Sequence, residues 1–258
     1  MRKTIWISLF FLVFALSSTR GETGESIPIL AYHRFGPVVA DSMTVTTEVF
    51  ASQLQWIQDH GYQVIPLREL ILRYFKAGSP PPPHSLAITV DDGHISVYTD
   101  LFPLAKKYRI PVTLFLYPSA ISNASYAMKW NQLREMKESG LVDFQSHTYW
   151  HPNFKKEKAR LSPEEYERFV NIQLRKSKGK LESELGKQVD LLAWPFGIYD
   201  PWLMAKAEAV PYAAAFTIER RPASATDPRM ALPRYLMTDA DRGQAFEKIF
   251  TPFFRKDP

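Results

Sequence analysis

Four side chains in this sequence offer the ligand set of a divalent metal with one acid to spare. Asp91 and Asp92 sit in Thr89-Val90-Asp91-Asp92-Gly93, and His147 and His151 in His147-Thr148-Tyr149-Trp150-His151. Two imidazoles and one carboxylate leave coordination positions open for water and substrate, which marks a catalytic metal rather than a structural one. Adjacent Asp residues in a regular strand point to opposite sides. At a strand end that alternation relaxes, and Gly93 lets the backbone turn sharply. One carboxylate can then hold metal while its neighbour stays free as a base. The two histidines lie four apart, a spacing that puts both rings on one side of a helical turn, and Pro152 ends such a turn. Taken singly, the first motif reads as a plain turn and the second as two packing or surface histidines. Their occurrence together argues for a metal.

These residues need elements to hold them, and the chain supplies short apolar runs alternating with amphipathic segments. Strands are expected at Ile27–His33, Val64–Ile65, Leu86–Val90, Pro111–Leu116, Leu141–Gln145, Leu191–Trp194, Ala213–Ile218 and Ala231–Leu236. Helices are expected after a Thr46 or Thr47 cap, over Leu67–Lys76, through Leu101 to Arg109, over Trp130–Glu138, from Ser162-Pro163 as far as Leu185, and over Pro201–Ala209. Ser79-Pro80-Pro81-Pro82-Pro83 reads as a stiff loop, because the strand after it continues the same pattern. Strand–helix alternation of this kind predicts a parallel sheet with crossover helices, and seven or eight units predict a closed or nearly closed barrel. Neither an internal repeat nor a second domain is visible. In such folds catalytic groups collect at the C-terminal strand ends. His33, Asp91-Asp92, Tyr117, His147 and Pro195-Phe196-Gly197 each fall where a predicted strand ends.

The chain has 258 residues, enough for one large α/β domain. Met1-Arg2-Lys3, an apolar run from Ile5 to Leu16 and the small residues after it predict a signal peptide over about residues 1–20, with the catalytic domain over 21–258. The apolar run is too short to span a bilayer comfortably. Export to a periplasmic or extracellular location is the expectation, with no stable membrane span after processing; the same segment retained as an anchor is the alternative. The formal charge of +5 is too mild to argue for nucleic acid. There is no Cys, so no disulfide, and a domain of this size needs none.

With these motifs in place, the sequence resembles the polysaccharide deacetylases, carbohydrate esterase family four with its NodB-homology domain. The family's Thr-Phe-Asp-Asp-Gly reads here as residues 89–93, and its His-Ser/Thr-x-x-His as residues 147–151. The resemblance spans roughly residues 27 to 240. It is nearest the branch that N-deacetylates exopolysaccharides of N-acetylglucosamine, through Ala31-Tyr32-His33-Arg34-Phe35, Trp130-Asn131-Gln132-Leu133 and Trp194-Pro195-Phe196-Gly197. It implies a distorted parallel (β/α) barrel of about seven strands. It implies Asp91 as catalytic base and Asp92, His147 and His151 as metal ligands, with zinc the default and iron, cobalt or nickel able to fit. Two departures stand out. The Arg that the family carries before its third-motif Pro is replaced by Ala193, and Arg234 is the candidate substitute. The late Leu-x-x-His motif is missing, since no His follows His151. The proton donor is therefore expected to be His33, with His94 as rival.

The reaction so implied is attack of water on an acetamide carbonyl, with Asp91 taking a proton and His33 giving one to the departing amine. A backbone N–H near Tyr117 is a candidate oxyanion donor. Trp130, Tyr117, Trp194 and Phe196 are expected to contact the sugar, Trp130 and Trp194 foremost; packing of the barrel rim is the competing role for several of them. The expected partner is an acetylated polysaccharide, met by a protein acting as a monomer. A glycosidase needs two separated carboxylates flanking the bond, which adjacent Asp residues beside a His pair fit less well. An O-acetyl esterase on xylan and a non-catalytic glycan-binding relative are the remaining alternatives.

Overall fold

Runs of aliphatic residues form parallel strands, and the amphipathic segments between them return the chain over one face. The computed structural model describes residues 26–76 and 81–253. The expected signal segment lies outside the described residues, as do Ser79 and Pro80 of the proline loop. The strands are β1 (Ile29–Tyr32), β2 (Arg34–Gly36), β3 (Thr44–Thr46), β4 (Gln63–Val64), β5 (Ser85–Asp92), β6 (Val112–Leu116), β7 (Val142–Ser146), β8 (Leu191–Ala193), β9 (Ala214–Phe216) and β10 (Tyr235–Leu236). Seven of them form one parallel sheet in the order β10-β1-β5-β6-β7-β8-β9, with β4 alongside the start of β5 and β2–β3 as a separate pair. Residue 232 ties the far edge back: Leu232 N–H donates to Ala215 O at 2.8 Å, and Thr217 N–H to Leu232 O at 2.8 Å. The sheet thereby curls into the distorted (β/α) barrel expected.

Period-two alternation sorts the side chains of β5. Leu86, Ile88 and Val90 join the outer core beneath the helices, while Ala87 joins an inner core with Ile29, Phe115, Leu191, Ala193, Ala214, Phe216 and Leu232. Thr89 and Asp91 continue the Ala87 series, so Asp91 belongs to the barrel interior by register.

The helices are α1 (Thr47–Asp59), α2 (Leu67–Leu70), α3 (Phe102–Tyr108), α4 (Trp130–Glu138), α5 (Phe154–Arg160), α6 (Pro163–Asn171), α7 (Ser177–Leu185), α8 (Pro201–Ala209) and α9 (Gln244–Phe250). Thr46 Oγ1 caps α1 by accepting from Val49 N–H. Ser162 and Glu165 cap α6 reciprocally, with Pro163 in its first turn. α6 runs into α7 through a π-helical turn, Ile172–Lys176, so the expected helix from Pro163 to Leu185 is continuous but locally underwound and wider. The strand expected at Ala231–Leu236 is shorter. Arg229–Ala231 is a 3₁₀ turn, Pro233 has no N–H to give a ladder, and pairing with β1 begins only at Tyr235.

Candidate active site

Strand register puts the chemistry at one rim. Tyr32 pairs with Val90, Asp92 with Leu116, Leu116 with Ser146 and Ser146 with Leu192, so His33, Asp92, Tyr117 and His147 end adjacent strands at nearly one level. They meet at a cavity of about 200 Å³ whose walls include His33, Asp91, Asp92, His147, His151 and Phe196.

Two adjacent carboxylates do different things because the backbone turns between them. Asp91 keeps strand geometry and points inward. Asp92 has φ 74° and Gly93 φ 83°, so the chain leaves the strand in left-handed conformation at Asp92 itself. Gly93 is required twice over, since a Cβ there would lie 2.8 Å from Leu116 Cδ2.

Asp91 is 1% exposed and lies against Arg234, which is fully buried. Arg234 Nη1 donates to Asp91 Oδ1 at 2.8 Å and Nη2 to Oδ2 at 2.7 Å, a two-pronged grip. The guanidinium is itself held, with Nε donating to Thr217 O at 3.0 Å and Nη1 to Thr89 Oγ1 at 3.0 Å. Burial works to raise the Asp91 pKa, but the Arg234 charge and its hydrogen bonds outweigh it and hold the carboxyl well below its usual range. The side chain that grips Asp91 thus comes from the segment before β10, across the barrel interior.

Asp92, His147 and His151 form the other half. Asp92 Oδ1 is 3.6 Å from His147 Nε2 and 3.5 Å from His151 Nε2. The three ligand atoms lie within 4.8 Å of one another. Asp92 Oδ1 is buried and accepts no hydrogen bond among the described residues. Burial raises the Asp92 pKa, His33 pulls it back, and neighbouring Asp91 raises it further, leaving it above the usual carboxylate value. A buried carboxylate oxygen without a donor, penalised for its charge, is what a cation would relieve. His147 Nδ1 donates to Ala193 O at 2.8 Å, which leaves the Nε2 lone pair directed at the cluster. Burial takes the His147 pKa down to about 3, so it stays a neutral ligand. Burial lowers His151 as well. These residues fit a divalent metal.

The histidine pair corrects one expectation. Residues 147–151 are not a helical turn: Thr148 has φ 65° and His151 φ 57°. The rings nonetheless come to 4.6 Å between centroids, because two left-handed residues fold the loop back on itself. The loop is pinned from outside by Gln173, whose Oε1 accepts from Trp150 N–H at 2.8 Å and Tyr149 N–H at 3.2 Å. Gln173 is fully buried on the π-helical turn between α6 and α7, and such turns recur at functional sites. Sequence reading missed this residue. Its signal was there: a polar side chain on the stripe Tyr166, Val170, Leu174, Ser177, Leu181.

His33 faces Asp91, with Nε2 at 4.0 Å from Asp91 Oδ2 and Nδ1 buried without a partner among the described residues. His94 is instead engaged with Ser96 Oγ at 2.8 Å and does not line the cavity. Among the aromatics, Phe196 is 56% exposed and stands 4.7 Å from the His151 ring. Tyr117 lies 5.3 Å from that ring, its hydroxyl bonded to Tyr126. Trp194 corrects another expectation. It lines the cavity but is fully buried, and its N–H donates to Met230 O at 2.8 Å, so it has no free face for a sugar. Trp130 opens α4, lies 5.7 Å from the Lys180 ammonium and does not line the cavity.

The fold and site define a parallel α/β barrel with a buried acid beside a three-ligand cation cluster. Residues 78–215 match the polysaccharide deacetylase family, and the chain belongs to it. Poly-beta-1,6-N-acetyl-D-glucosamine N-deacetylase of Staphylococcus epidermidis is 30% identical over 212 residues, 80% of this chain and 71% of that one. Among solved structures, the Streptococcus pyogenes deacetylase PplD in complex with acetate superimposes with TM-score 0.79 at 25% identity, covering 89% of this chain and 100% of that one. IcaB from Ammonifex degensii gives TM-score 0.73 at 25% identity, covering 88% and 97%.

Proposed function

We propose that this protein is a metal-dependent N-deacetylase of poly-β-1,6-N-acetylglucosamine, releasing acetate and leaving glucosamine units. The observation that carries the reading is one pair of neighbours. Asp91 is gripped by Arg234 and ready to act as a base, while Asp92 turns away to complete a cation cluster with His147 and His151. The printed substrate of the Staphylococcus epidermidis relative supplies the polymer.

Asp92, His147 and His151 would hold the metal, with zinc the default and iron, cobalt or nickel also suited to the donors. When bound, the metal supplies Lewis acidity to the water and to the amide carbonyl. The rest is done by side chains of the chain itself. Arg234 fixes the plane of the Asp91 carboxylate and keeps it ionised at neutral pH. Asp91 accepts the proton of the attacking water, a contribution of about 10²–10⁴-fold. His33, on the other side of Asp91, gives a proton to the departing amine nitrogen. Phe196 borders the entry and excludes water from the acetyl group, while Tyr117 packs on the His151 ring. The positively charged, then apolar N-terminal segment supports export, which brings the enzyme to its polymer outside the cytoplasm.

Acetate release from β-1,6-linked N-acetylglucosamine oligomers, with and without chelator, tests the reading. Chitin oligomers, peptidoglycan and acetylxylan run in parallel test the polymer. Release that survives full chelation refutes metal dependence. Release from acetylxylan alone makes the protein an O-acetyl esterase.

A further inference from the structure

Beside the catalytic rim, α5, α6 and the first turn of α8 border a second, half-open cavity of about 460 Å³ that the reaction does not use. Its walls include Lys158, Glu164, Tyr166, Glu167 and Trp202. Volume and lining are those of a small-ligand site, mostly apolar with a few placed polar groups.

One polar group there is buried without a partner among the described residues: Tyr166 is 5% exposed, and its hydroxyl makes no hydrogen bond. The half-buried Trp202 and the exposed Glu164 make no side-chain hydrogen bond among the described residues, so the indole N–H and the carboxylate are open to solvent and to a ligand. The other charges are neutralised: Lys158 pairs with Asp200 at 2.8 Å, and Lys206 pairs with Glu167. The charge left over in the cavity wall is therefore the negative one on Glu164. Tyr166 and Trp202 stack at 5.4 Å between centroids and 26° between planes, giving a rigid aromatic wall.

Position links this cavity to the active site. Trp150 immediately precedes the ligand His151 and is 48% exposed. From it, ring-to-ring steps of 5.9 Å to Phe169, 6.5 Å to Tyr166 and 5.4 Å to Trp202 run along α6 to the cavity. Aromatic surface with interspersed donors and acceptors suits a sugar, which presents an apolar face and a hydroxylated edge.

We propose that this cavity is a distal subsite that binds a de-N-acetylated glucosamine unit of the polymer, with Glu164 accepting from its ammonium group. The proposal rests on the deacetylase reading, because that reaction turns a neutral unit into a cationic one. The enzyme would then hold chain it has already processed while the next acetylated unit lies at the metal.

The test is binding, followed on the Trp202 indole ¹⁵N–H resonance, assigned by its loss in Trp202→Phe. The protein is full-length Asp91→Asn, so that ligands are not consumed. The probes are a β-1,6-linked glucosamine pentamer and its fully N-acetylated counterpart. The resonance is expected to shift with the glucosamine pentamer at least about tenfold more tightly than with the acetylated one, and Glu164→Gln is expected to remove that preference. Glu164 is exposed on the first turn of α6, so this variant folds. No shift with either probe, equal affinity for both, or a preference that survives Glu164→Gln overturns the proposal. Acetate release by the unmodified enzyme judges the deacetylase reading separately: a Trp202 shift without acetate release leaves the subsite standing and removes the function.

Discussion

The barrel holds two arginine–aspartate pairs at opposite ends of its strands. At the N-terminal end, Arg68 Nη2 donates to Asp190 Oδ2 at 2.8 Å and Nε to the same oxygen at 3.0 Å. Gln145 Oε1 accepts from Asp190 N–H at 2.9 Å and from Leu191 N–H at 2.8 Å, while its Nε2 donates to Asp143 Oδ2 at 2.8 Å. In this cluster each side chain named has a partner, and it stitches α2, β7 and β8 together. At the C-terminal end, Arg234 grips Asp91 in the same two-pronged way, yet the neighbourhood is left incomplete. Asp92 Oδ1 and His33 Nδ1 are buried without partners among the described residues. The first pair closes a structure; the second holds an acid in place beside polar atoms that the described residues leave unsatisfied. The geometry of an ion pair therefore does not tell its role. The satisfaction of its neighbours does.

Asp91→Asn breaks this contrast most severely. Turnover is expected to fall by about 10²–10⁴-fold, while metal content measured on the purified protein stays at the unmodified level. Normal turnover would show that Asp91 is only a structural partner, like Asp190. Arg234→Met comes next. It leaves a carboxylate buried with no counter-charge, at a cost of about 3–5 kcal/mol in urea unfolding. Gln173→Ala sharpens the contrast from the ligand side: it frees the loop carrying His151, and metal affinity by competition with a chelator is expected to drop about 10–100-fold, as for residues that orient ligands indirectly. An unchanged affinity would mean that the left-handed loop holds itself. Arg68→Met is expected to have the smallest effect, about 1–2 kcal/mol in urea unfolding: it strips the donors from a buried carboxylate, but Arg68 itself is 36% exposed and water reaches Asp190 once the side chain is gone. A cost equal to that of Arg234→Met would erase the distinction drawn between the two ends.

Much of this was legible in the sequence. Strand–helix alternation and the run of polar residues at strand ends predict a parallel barrel with one rim of chemistry. Motif and placement bring one carboxylate to His147 and His151, and the family resemblance implies that it is Asp92. The path by which the histidines meet was not legible, because two residues with positive φ, Thr148 and His151, do in a loop what a helical turn would have done. Neither is glycine, so no residue type announced it. Trp194 was misread for a different reason. An aromatic after a strand looks like a rim residue, and only the Met230 carbonyl, 36 residues away, shows where its N–H goes. Gln173 was hidden inside a helix whose pattern looked regular.

Arg234 and Asp91 are separated by 143 residues, and this spacing bears on the order in which the molecule becomes competent. Strands β5 to β9 can be laid down in sequence, each beside an existing neighbour. Throughout that assembly the acid at the heart of the barrel has no counter-charge. Only when residue 234 passes through the interior and β10 docks on β1 is that charge answered. Catalytic competence is thus among the last properties the growing chain acquires, so a ribosome-stalled or prematurely cut product carries both motifs and yet is silent.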